Sequence, residues 1–188
     1  MECVPQTGNN PEAKTVKSYG IADALLSCED KRMTSKEPDI LQPSFIAAKL
    51  VPELLVTDVN TSLRFWRDLC GFAVAYHRLD EGFAYLDRDG AQLMLEERGR
   101  GRNWVTAQLE VPLGRGVNFQ VSVNALAPIL DALESAGWPL FLAPEQKWYR
   151  TGEVEAGVHQ FLVQDPDGYL VRFVSSLGRR PAQRELVK

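Results

Sequence analysis

The chain has 188 residues, with 21 Lys+Arg against 25 Asp+Glu and 45% apolar residues. That length fits one domain or two very small ones, with a core large enough to fold alone. The net charge of −4 speaks against a polyanionic partner such as nucleic acid, and no run nears the roughly 18 apolar residues of a membrane-spanning helix.

The N-terminal stretch lacks a basic region followed by an apolar one, so it does not read as a secretory signal. Three cysteines, Cys3, Cys28 and Cys70, with no C-x-x-C pair, indicate a reducing, cytoplasmic setting rather than a disulfide scaffold or thiolate zinc site. With only His77 and His159, a histidine-rich metal site is excluded.

In chain order, residues 1–47 are proline-rich and poor in aromatics, and are expected to be a mostly disordered leader. The alternatives are an interaction arm or an extension foreign to the natural product. A domain is expected over 48–178 and a short tail over 179–188.

Leu50–Thr57 alternates and reads as a strand. Asp58 to Ser62 supply helix-cap chemistry, Leu63, Phe65, Trp66 and Leu69 recur at helical spacing, and Gly71 ends that helix. Strands follow at Phe72–Leu79, Phe83–Leu86 and Ala91–Glu96, with turns at Asp80–Gly82 and Asp87–Gly90.

The same order returns. Val117–Val123 alternates, Ala125–Ala136 is a helix that tolerates Pro128 in its first turn, and Gly137 ends it. Strands fit Leu140–Leu142, a segment within Lys147–Arg150, His159–Gln164 and Tyr169–Val174, and the turn Asp165-Pro-Asp-Gly168 echoes Asp87-Arg-Asp-Gly90. The second copy is longer by about a dozen residues, expected as a loop in 143–157. The expected fold is α+β: two βαβββ repeats (48–97 and 116–178, joined by 98–115) forming a curved mixed sheet around a groove, helices outside.

Alternation also separates two surfaces. Leu54, Val56, Ala91, Leu93, Leu95, Val117, Phe119, Val121, Val123, Val171 and Phe173 should pack beneath the helices. The opposite set should line the groove with Glu53, Gln92, Met94, Glu96, Asn118, Gln120 and Arg172. A solvated outer face is the plain alternative.

Val56-Thr-Asp-Val59 with Ser62-Leu-Arg-Phe-Trp-Arg-Asp-Leu-Cys-Gly-Phe72, and Phe161-Leu-Val-Gln-Asp-Pro-Asp-Gly168, resemble the vicinal oxygen chelate superfamily. Its members include glyoxalase I, extradiol dioxygenases, thiol transferases that inactivate fosfomycin, and bleomycin-resistance proteins. The resemblance covers about residues 49–176 and implies a divalent metal held from four strands. The matching positions here are Val51, Met94, Asn118 (or Val117) and Arg172. Val and Met offer no hard donor, and Arg172 is a permanent cation that repels a metal. The expectation is therefore no metal, no cofactor and no catalytic residue.

What remains resembles the bleomycin-resistance proteins, which sequester a cationic glycopeptide antibiotic unaltered. The resemblance also implies a homodimer. Such a ligand needs acidic groups, for which Glu53, Glu96 and Glu97 are candidates, and flat faces, for which Trp104, Trp148 and Tyr149 are candidates. Trp104 either stacks on ligand, packs the linker or meets a second subunit. Trp148-Tyr149 is either a lid or a structural plug, and Arg172 either lines the groove or pairs with Glu53 or Glu96. The alternative function is a metal-dependent glyoxalase-, dioxygenase- or thiol-transferase-type enzyme with relocated ligands.

Overall fold

The computed structural model describes residues 45–101 and 104–182. The expected leader therefore lies outside the described residues except for its last three, and so does most of the expected tail.

Asp58 begins the first helix as its sequence promises: its Oδ1 accepts from the Thr61 amide at 2.6 Å. The helix, α1 (Val59–Leu63), runs on as a π-helical stretch, Arg64–Leu69, that the apolar spacing did not foretell. The wider turn is closed by the Cys70 amide donating to the Phe65 carbonyl five residues back, at 2.9 Å. It lets the adjacent Phe65 and Trp66 both enter the core, their rings edge-to-face at 5.4 Å. Gly71 then turns the chain at a φ of +70°, a conformation that favours glycine. The second helix, α2 (Ala127–Ser135), carries Pro128 in its first turn and buries Ile129 and Leu133.

The first half contributes β1 (Glu53–Val56), β2 (Ala73–Arg78), β3 (Phe83–Arg88) and β4 (Ala91–Glu97). The second contributes β5 (Asn118–Ser122), β6 (Leu140–Thr151), β7 (Val154–Gln164) and β8 (Leu170–Pro181). Each half folds into a four-stranded mixed sheet of one topology, β1-β4-β3-β2 and β5-β8-β7-β6, in which the first and last strands of the half run parallel. The α+β reading with two βαβββ halves therefore holds, and the two sheets do not close on one another.

Two expectations are corrected. The extra residues in 143–157 are not a loop: β6 is one strand that pairs with β7 from Leu140↔Val163 out to Thr151↔Val154. Two register shifts, between Leu140 and Glu145, break the alternation that would have revealed it. Val117 does not join the core; it precedes β5 and is exposed.

One continuous core joins the halves. Leu54, Val56, Leu93 and Leu95 meet Val121, Phe161, Val171 and Phe173 through Phe65, Trp66, Ile129 and Leu133. The Asp165–Gly168 turn is the polar seam. Thr57 donates to the Asp167 carboxylate through its amide and its hydroxyl. The Trp66 indole donates to Asp165 Oδ2 at 3.3 Å, and the Tyr169 hydroxyl to the Leu55 carbonyl at 3.1 Å. No described helix is long and apolar enough to cross a membrane.

Candidate functional site

Parallel pairing of β1 with β4 sets Glu53 opposite Met94 and Leu55 opposite Glu96. Because side chains alternate, the core takes Leu54, Val56, Leu93 and Leu95, and the other face receives Glu53, Met94 and Glu96. Beside that face lies an open cavity of about 530 Å³ lined by Glu53, Arg78, Asp80, Glu81, Phe83 and Glu96, with Arg100 and Gly101 at its edge. Four carboxylates face two guanidinium groups, so the cavity is net acidic.

The guanidinium groups are already engaged. Arg78 pairs with Glu81 at 2.7 Å and lies 3.9 Å over the Phe83 ring. Arg100 pairs with Glu97 at 2.5 Å. Glu53 and Glu96 stand close across β1 and β4, and the Glu53 carboxyl is held above its ordinary range: partial burial raises it most, followed by hydrogen bonding with Glu96 and then by the charge of Glu96.

Next to the cavity runs an aromatic ladder that the sequence reading missed. Phe83 and Tyr76 lie 5.8 Å apart, and Tyr76 and Tyr85 stack at 5.1 Å with planes 24° apart. Val51 and Met94 pack against this group. A register shift between Val74 and Tyr76 in β2 hides the face of Tyr76 from a period-two reading. In β3, Phe83, Ala84, Tyr85 and Leu86 are all buried, so no polar residue marks which side is which.

The remaining sequence candidates do not gather in this cavity. Gln92 sits on the same sheet, but its amide binds the main chain of residues 46 and 48. Asn118 and Gln120 are exposed on β5, and Arg172 on β8 donates to Gln120 Oε1, not to Glu53 or Glu96. Arg172 Nε is buried with no hydrogen-bond partner among the described residues.

Trp148 and Tyr149 lie on β6. The Trp148 ring covers Gly157 and carries the Arg180 guanidinium 4.0 Å above it, and Arg180 pairs with Glu155 at 2.6 Å. Buried Gln160 donates to Glu145 Oε1 at 2.7 Å and to the Tyr149 hydroxyl at 3.0 Å. Both rings thus brace the long hairpin. Trp104 stands in the joining segment, 74% exposed.

Two βαβββ halves sharing one core, with a polar cavity on an outward sheet face, define a class of protein built by repetition. The chain belongs to the glyoxalase/bleomycin resistance protein/dioxygenase superfamily, whose family model matches residues 49–173. A member of that superfamily from Vibrio splendidus 12B01 is 44% identical over 68% of this chain and 97% of its own, with a TM-score of 0.32. TioX from Micromonospora sp. ML1 is 21% identical over 69% of this chain and 100% of its own, with a TM-score of 0.54. A virulence protein of Salmonella typhimurium is 16% identical over 70% and 98%, with a TM-score of 0.51, so these two share the fold. Among curated proteins none matches.

The superfamily's divalent metal does not fit the residues here. Val51 and Met94 point into the aromatic cluster and supply no hard donor, and Arg172 brings a permanent cation bonded to Gln120. A carboxylate pair, Glu53 and Glu96, stands two residues further along β1 and β4 from the metal positions.

Proposed function

We propose that this protein binds a cationic small molecule with flat aromatic parts and releases it unchanged, as bleomycin-resistance proteins do. The observation that carries the reading is the Glu53–Glu96 pair facing an acidic cavity beside the Phe83–Tyr76–Tyr85 ladder, two residues along β1 and β4 from the positions where the family would place metal ligands. A bound cation sits between the two carboxylates. A flat heteroaromatic group packs against Tyr76, the ladder ring that is only partly buried.

The reading includes a homodimer in which the polar face of one second half, with Asn118, Gln120 and Arg172, completes the acidic cavity of the other copy. Sedimentation of the purified protein at micromolar concentration tests that part; a monomer at all concentrations removes it.

For the site itself, chelator-treated protein is titrated with copper-free bleomycin. Glu53→Gln is expected to weaken binding about fivefold and the Glu53→Gln/Glu96→Gln pair by more, as for loss of charged hydrogen bonds at a partly exposed site. Wild-type affinity in the double variant would overturn the assignment. The carboxylate pair also favours one second reading, a metal-dependent enzyme with Glu53 and Glu96 as relocated ligands. A stoichiometric metal that survives dialysis of wild type and is lost in the double variant would establish it instead.

A further inference from the structure

Gln92 makes the four hydrogen bonds open to a primary amide. Its Oε1 accepts from the Ala48 amide at 2.6 Å and the Tyr85 hydroxyl at 2.7 Å. Its Nε2 donates to the Ile46 carbonyl at 2.8 Å and to Asp87 Oδ2 at 2.5 Å. The two main-chain groups flank Ala47, and they are the acceptor and donor that a parallel neighbouring strand would satisfy. Gln92 therefore supplies one rung of a ladder to a segment that is not in the sheet.

That rung places an aromatic ring. Phe45 stands edge-on to Tyr85 at 5.0 Å and to Tyr76 at 6.0 Å, capping the end of the ladder away from the carboxylates. Among the described residues little else holds the segment. Ile46 is 83% exposed, and a cavity of about 320 Å³ lies along it, between Phe45 and Ile46 on one side and Ala73, Val74 and Ala75 on the other. Among the described residues, the backbone is tied at one side chain and a single ring is seated.

We infer that residues 45–48 are a displaceable strap: Phe45 occupies the aromatic platform that the flat part of a ligand takes, and the ligand binds by expelling it. The inference rests on the ligand site proposed above. An occupied platform lowers apparent affinity in proportion to the fraction of molecules with the strap released. An aromatic contact of ordinary strength makes that about a tenfold effect.

The test uses the full-length chain and copper-free bleomycin as the probe. Phe45→Ala is expected to bind about tenfold more tightly than wild type. Because that variant also loses packing, the second measurement is made on wild type: hydrogen exchange at the Ala48 amide, with and without saturating probe. The strap predicts faster exchange at Ala48 on saturation while the β2 and β3 amides become better protected. Unchanged or slower exchange at Ala48 overturns the strap, whatever Phe45→Ala does, and leaves the ligand site standing. No saturable binding by either protein overturns both.

Discussion

Asp165 is almost wholly buried and accepts three N–H groups, from Trp66, Asp167 and Tyr169. Those donors favour its charged form, but burial outweighs them and, with the charge of Asp167, raises its pKa to about 7. An unfolded aspartate releases its proton near pH 4, at about its ordinary value. Between about pH 4 and 7 the folded chain thus binds the extra proton, and stability falls as pH rises through that window. Thermal melts from pH 4 to 8 should show this loss, and Asp165→Asn should flatten it even if its absolute stability is lower. An unchanged slope in Asp165→Asn would remove the assignment. Glu53 works in the same direction on a smaller scale, its carboxyl also held above the ordinary range. A cation that pairs with its charged form must bind more tightly as pH rises through the titration of that carboxyl, and calorimetry within that range, in buffers of different ionisation enthalpy, should register proton release on binding.

The paired turns show how a repeat specialises. Both turn glycines have positive φ, +87° at Gly90 and +95° at Gly168. A Cβ at Gly90 would meet nothing within 4 Å, whereas one at Gly168 would fall 2.3 Å from Pro112 Cβ. Gly90→Ala should cost only the backbone term of about 1 kcal/mol. Gly168→Ala adds overpacking of roughly 1–3 kcal/mol at the seam between the halves. Chemical denaturation of both variants checks the order, and equal losses would contradict it. The long hairpin has a similar close approach, since a Cβ on Gly157 would sit 2.7 Å from the Trp148 ring. Gly157→Ala should shift Trp148 from beneath Arg180, with a change in tryptophan emission.

Elements were legible where the pattern was local and regular. β1 and β4 alternate cleanly, and Asp58, Gly71 and Gly137 mark their helix ends, whereas β8 buries both Phe173 and Val174 and runs on to Pro181, past the expected end at Val174. The continuity of β6 was not legible: its start at Leu140–Leu142 reads as a strand, but the register shifts and Pro144 interrupt the period after it.

For the whole molecule, the doubled βαβββ order was legible as two equivalent halves, while the strand order shared by the two sheets comes from the structure. It could not place the halves against each other. That depends on Trp66, Thr57 and the Asp165–Gly168 turn meeting across 99 and 110 residues of chain. The site was legible in the same proportion. Glu53 and Glu96 share a face by alternation alone, whereas Gln92 could be read as facing a groove only because nothing in the sequence says that residues 46 and 48 already claim its amide.

The central claim is metal-independent binding without turnover at the acidic cavity. Its most direct test is titration of chelator-treated protein with copper-free bleomycin, followed by tryptophan fluorescence and heat, with the ligand recovered and examined afterwards. The prediction is saturable binding that strengthens with pH, is weakened by Glu53→Gln/Glu96→Gln, and returns the ligand intact. Absence of binding, or a ligand consumed only when divalent metal is added, would contradict it.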